Sequence, residues 1–140
     1  MNVLIVEDDV PIAELLREAL EMSGHHVCEI ARTMDEAMEE AERHRPEYAI
    51  VDLHLADGSL GTDLATRLRE TQTVRVLFST GNDDESRFAM HEGDAVMTKP
   101  YSMRDAIRGL KIVDQIALYG STELKFPPNF RLVGKMADAN

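Results

Sequence analysis

Apolar residues fall along this chain in two alternating rhythms: short unbroken runs, then stretches where they recur every three or four positions. Val3-Leu4-Ile5-Val6 is the first run, and Glu7-Asp8-Asp9 closes it. A continuous, β-branched run of this kind predicts a strand buried on both faces, as in a parallel sheet. Ile12, Leu15, Leu16, Ala19 and Leu20 then fall at i, i+3, i+4, i+7 and i+8, one face of a helix. Pro11 suits the first turn of that helix, and Ser23-Gly24 stops it.

The same alternation continues. Val27 to Ile30 reads as a second strand, and Thr33-Met34-Asp35-Glu36 is a capping box. The helix it opens carries Met34, Ala37, Met38 and Ala41 on one face, with Pro46 just beyond. Tyr48-Ala49-Ile50-Val51 is a third strand closed by Asp52, and a loop from His54 to Ser59 leads to a helix with Leu60, Leu64, Ala65 and Leu68 on its apolar side. Val74 to Phe78 is a fourth strand ending in Ser79-Thr80-Gly81, and Asp83 to His91 is a short, weakly patterned helix candidate. Ala95-Val96-Met97 is a fifth strand before Lys99-Pro100. Ser102 then caps a long helix with Met103, Ala106, Ile107, Leu110, Val113 and Ala117 on its face. Strands alternating with helices force parallel pairing through right-handed crossovers. The expected class is α/β: a doubly wound, five-stranded parallel sheet, flavodoxin-like, of order 2-1-3-4-5.

Composition narrows the function. The 140 residues make one domain, expected over 1–119, with 120–140 an extension lacking a domain of its own. Phe126, Phe130, Leu132 and Val133 make that extension more apolar than a free end needs; it either packs on the domain or forms a partner surface. With 15 Lys+Arg against 26 Asp+Glu the net charge is −11, which argues against nucleic acid or an anionic membrane as partner. No run is long enough to span a membrane, and Val3 to Val6 is too short, and lacks the basic leader, for a signal peptide. The single cysteine, Cys28, excludes an internal disulfide framework and fits a reducing compartment, so a cytoplasmic location is expected.

In open α/β sheets, ligands bind beyond the carboxyl ends of the strands, where the strand order reverses. The residues closing the strands are Glu7-Asp8, Asp52, Thr80 and Lys99, all on one edge. Three carboxylates against one lysine repel one another unless a cation intervenes. Carboxylate and carbonyl oxygens suit Mg²⁺ or Mn²⁺ rather than zinc. A carboxylate nucleophile beside such an ion, faced by a hydroxyl and an ammonium, is equipment for phosphoryl transfer through an aspartyl phosphate. Asp9 reads as a helix N-cap rather than a ligand, Cys28 as a small core residue, and His25-His26 as surface residues without partners at metal spacing.

The ordered pattern Val-Leu-Ile-Val-Glu-Asp-Asp, Ile-Val-Asp-Leu, Phe-Ser-Thr-Gly and Thr-Lys-Pro resembles the receiver domain of two-component response regulators over about residues 2–119. The resemblance implies that Asp52 is the phosphoacceptor. It implies that Asp8 binds Mg²⁺ directly, Glu7 holds it through water, and Asp52 and the His54 backbone carbonyl complete the protein ligands. Thr80 would hydrogen-bond the attached phosphoryl group and Lys99 would pair with it. A cis bond at Lys99-Pro100 is common in the family. Phe78-Ser79-Thr80-Gly81 also resembles the Phe-Ala-Thr-Gly stretch of a stand-alone alphaproteobacterial subclass, the FAT GUY group, although Asn82 stands where that group prefers tyrosine.

Two departures stand out. Val96 occupies the position, three before the lysine, where receivers usually carry an aromatic switch residue, and Tyr101 lies on the other side of the lysine. The interval from Thr80 to Lys99 is 19 residues, shorter than the family's usual one, so the helix candidate over 83–91 should be truncated or mobile; because Val96 cannot swing as an aromatic would, ordering of segment 81–93 is the expected readout. The expected function is that of a single-domain response regulator, not an enzyme beyond self-phosphorylation and self-dephosphorylation. Its partners would be a histidine kinase or histidine phosphotransfer protein and a downstream protein target. Its output would be protein contact or draining of phosphoryl groups. An unphosphorylated interaction module is the alternative. A phosphohydrolase is a third reading, weakened by His54 standing where such enzymes place a second acid.

Overall fold

The structure, a computed structural model, describes residues 1–81 and 93–138. The elements run β1 (Asn2–Val6), α1 (Val10–Met22), β2 (His26–Ala31), α2 (Met34–His44), β3 (Tyr48–Asp52), α3 (Gly61–Thr71), β4 (Arg75–Thr80), β5 (Ala95–Thr98), α4 (Met103–Tyr119), β6 (Phe130–Leu132) and α5 (Gly134–Asp138). Strands β1 to β5 pair in parallel in the order 2-1-3-4-5. The helix candidate at 83–91 and most of segment 81–93 lie outside the described residues.

Strand side chains alternate between two faces, so each strand feeds two cores. Val3, Ile5, Tyr48, Ile50, Leu77, Ala95 and Met97 join the core beneath α1 and α4. Leu4, Val6, Ala49, Val51, Phe78 and Val96 join the one beneath α2 and α3. Double-sided burial explains the unbroken apolar runs. Asp9 caps α1 by accepting the Ile12 N–H, Thr33 caps α2 through the Glu36 N–H, and Ser102 caps α4 through the Asp105 N–H.

Three expectations need correction. The sheet has six strands, because the extension supplies β6, antiparallel on the edge of β5 with Ala95 opposite Leu132 and Met97 opposite Phe130. Pairing covers backbone groups that an edge strand would leave open. The extension packs on the domain: Phe130 lies edge-on to Phe126 with centroids 5.3 Å apart, and a side chain at Gly109 would meet its ring. Leu60 is not on the buried face of α3 but precedes the helix and is exposed. Leu15 likewise points to solvent on α1, beyond the face formed by Ala13, Leu16 and Leu20.

Candidate functional site

The carboxyl ends of β1, β3, β4 and β5 bring the expected residues to one crevice. Glu7 follows β1 and is buried, Asp8 beside it is exposed, and Asp52 ends β3 nearly buried. Glu7, Asp8 and Asp52 each bring a carboxylate oxygen into a group whose members lie within 4.8 Å of one another. Lys99 reaches across from beyond β5, its Nζ 3.1 Å from Glu7 Oε1 and 3.2 Å from Asp52 Oδ2. The His54 N–H donates to Asp52 Oδ1 at 3.0 Å, so the loop after β3 orients the carboxylate. Thr80 is buried at the end of β4, opposite Thr98 of β5, and its carbonyl accepts the Lys99 N–H at 2.7 Å. The Lys99–Pro100 peptide bond is cis.

Among the described residues one ammonium faces these acids, and it does not balance them. Burial, followed by the hydrogen bond and charge of Asp52, pushes the Glu7 carboxyl up to about 7 against the pull of Lys99. Burial works against the charge of Lys99, yet Asp52 and Glu7 together outweigh it and hold the ammonium above its ordinary range. An all-oxygen acidic group of this kind fits a hard divalent cation, which would replace repulsion with shared coordination. The residues present therefore suit Mg²⁺ or Mn²⁺.

Residues that the sequence did not single out also shape the crevice. Gly61, at the start of α3, donates its N–H to the Leu53 carbonyl at 2.8 Å, and a Cβ there would come 2.3 Å from the Asp52 carbonyl oxygen. Only glycine lets the helix approach the backbone of Asp52 this closely. Its signal was a glycine at a predicted helix start. Tyr101, noted in the sequence only as an aromatic on the far side of the lysine, also contributes. Its hydroxyl lies 2.8 Å from Ser79 Oγ, on the sheet face opposite Val96. Val96 itself is fully buried opposite Phe78 in register, within the core beneath α2 and α3.

This geometry is a receiver's, and the comparisons with known proteins agree. The profile of the response regulator receiver domain matches residues 3–115, and the chain belongs to that family. The phyllosphere-induced regulator PhyR of Methylorubrum extorquens is 43% identical over 80 residues, covering 56% of this chain and 30% of that protein. The crystal structure of the response regulator PhyR from Brucella abortus, 31% identical, superposes with a TM-score of 0.69 over 84% of this chain and 51% of that one. A CheY-like receiver domain protein from Methanospirillum hungatei, 29% identical, gives a TM-score of 0.75 over 84% of this chain and 96% of that one. The chain spans about a third to a half of the curated relatives it matches. Among the described residues no helix is long and apolar enough to cross a membrane.

Proposed function

We propose that the chain is a phosphorylatable signalling receiver that takes a phosphoryl group on Asp52 from a histidine kinase or a histidine phosphotransfer protein. The observation that carries this reading is the convergence of Glu7, Asp8, Asp52 and Lys99 at one strand edge, with one ammonium among three carboxylates in the described residues. Glu7, Asp8, Asp52 and the His54 carbonyl would hold Mg²⁺ or Mn²⁺. When bound, the ion supplies neutralising charge to the oxygens of the transferring group.

The chain's own residues do the rest. An Asp52 oxygen attacks phosphorus as the N–P bond of the donor's phosphohistidine breaks, and the imidazole keeps the electron pair and takes a proton. Lys99 turns from its two carboxylates toward the new phosphoryl oxygens, and Thr80 donates its hydroxyl to them. Hydrolysis reverses the gain: a water oxygen bonds to phosphorus and the Asp52 carboxylate leaves. About two negative charges added at Asp52 are the switch. Output runs through protein contact or by draining phosphoryl groups from a kinase, in the cytoplasm. The acidity of the chain, −11 overall, supports a protein rather than a nucleic acid as target.

Intact mass after incubation with acetyl phosphate and Mg²⁺ tests this reading. One adduct of about 80 Da is expected, lost in Asp52→Asn and without metal. No adduct in the wild-type protein would reject phosphoacceptor chemistry in favour of an unphosphorylated binding module.

A further inference from the structure

We propose that the Tyr101 hydroxyl, through Ser79, is a positioning group for Lys99; the proposal rests on the phosphoacceptor reading above and deepens it. Ser79 follows the apolar run Val76-Leu77-Phe78 in β4, just before Thr80. It is 2% exposed, and in register it sits opposite Asp52. Alternation along β4 sends its side chain to the core beneath α1 and α4, the same core against which Tyr101 packs. A buried hydroxyl without a partner is costly, so each of these two accounts for the other. Burial pushes the Tyr101 phenol up, which keeps it neutral and able to donate.

The pair is placed to hold the lysine. Lys99 N–H donates to the Thr80 carbonyl at 2.7 Å, and two residues later the Tyr101 hydroxyl meets Ser79 at 2.8 Å. Consecutive residues of β4 therefore grip both sides of Pro100. From that bracket the Lys99 side chain spans to Glu7 and Asp52. The extension adds a third tie, because Asn129 donates its side-chain N–H to the Pro100 carbonyl at 3.2 Å. Without the Tyr101–Ser79 contact the far side of Pro100 loses its tie to β4, and the ammonium loses its fixed approach. Small errors in the placement of such a group cost rate.

The test compares Tyr101→Phe, Ser79→Ala and the double variant in the full chain. Each single variant is expected to slow labelling by acetyl phosphate with Mg²⁺ by roughly three- to tenfold, the worth of one hydrogen bond. Amide exchange at Lys99 should accelerate by a similar factor, while β1 to β3 stay protected. The double variant separates positioning from mere core filling. Two apolar groups restore the packing, so its thermal midpoint should return toward the wild-type value while labelling stays as slow as in the single variants. Recovery of the labelling rate along with the midpoint would overturn the proposal, as would single variants that label and exchange like the wild type. If the wild-type protein takes no phosphoryl group, the phosphoacceptor reading fails. The exchange at Lys99 then still decides, by accelerating or not in Tyr101→Phe, whether the hydroxyl pair positions the turn.

Discussion

Two aspartates at opposite ends of one sheet are about equally buried and oppositely treated. Asp94, before β5 at the amino-terminal edge, has a side chain 6% exposed, and that of Asp52 at the carboxyl edge is 12% exposed. Asp94 accepts the Val76 N–H at 2.7 Å, a hydrogen bond from Arg69, and the approach of the Arg75 guanidinium at 3.6 Å. Two cations and a backbone donor thus serve one carboxylate. Asp52 also accepts a backbone N–H, from His54, but among the described residues it shares one ammonium with Glu7, and Asp8 stands beside them. Burial alone does not separate a structural ion cluster from a site; the balance of charge within it does. A saturated cluster holds the fold, whereas an under-compensated one stores repulsion that a cation and a phosphoryl group can relieve.

The largest expected effect lies at the saturated end. Asp94→Ala leaves two arginines and the Val76 N–H without their acceptor, at a cost of about 2–4 kcal/mol in urea unfolding; the figure is tempered because both arginines are partly solvated. A loss no larger than that of an ordinary surface substitution would break the comparison from its structural side.

A smaller effect, of opposite sign, belongs to Glu7. The folded state keeps the Glu7 proton up to about 7, whereas the unfolded chain releases it near 4.5. The folded state therefore binds more protons between those values, and stability falls as pH rises through them and levels off above. Glu7→Gln should flatten this slope and gain about 1 kcal/mol near pH 8, where the wild type carries the full repulsion. Parallel pH profiles for the two proteins would show that neither burial nor Asp52 raises the Glu7 carboxyl on folding.

The contrast also explains what could be read from the sequence. Glu7-Asp8, Asp52, Thr80 and Lys99 were legible because each ends a strand buried on both faces, and the carboxyl edge of a parallel sheet gathers such residues. The alternation implied parallel strands joined by crossovers, whereas the order 2-1-3-4-5 is one of two common doubly wound orders and came with the flavodoxin-like reading. The sixth strand was hidden because Phe130–Leu132 is three residues long and takes its conformation from β5 rather than from a local pattern. Leu15 and Leu60 fit an apolar spacing but lie just outside the faces their neighbours bury. The Tyr101–Ser79 contact and the approach of Gly61 to Asp52 depend on which residues strand register brings together, and spacing along the chain carries no record of that.

Thermal unfolding of the wild type and Asp52→Asn, each with and without Mg²⁺ at mildly alkaline pH, tests the central claim most directly. Asp52→Asn should melt higher than the wild type without metal, because a repelling charge is gone. Mg²⁺ should raise the wild-type midpoint and leave that of Asp52→Asn nearly unmoved. A variant that melts lower than the wild type, with a wild type indifferent to Mg²⁺, would mean that the crevice is a satisfied structural cluster like the one around Asp94.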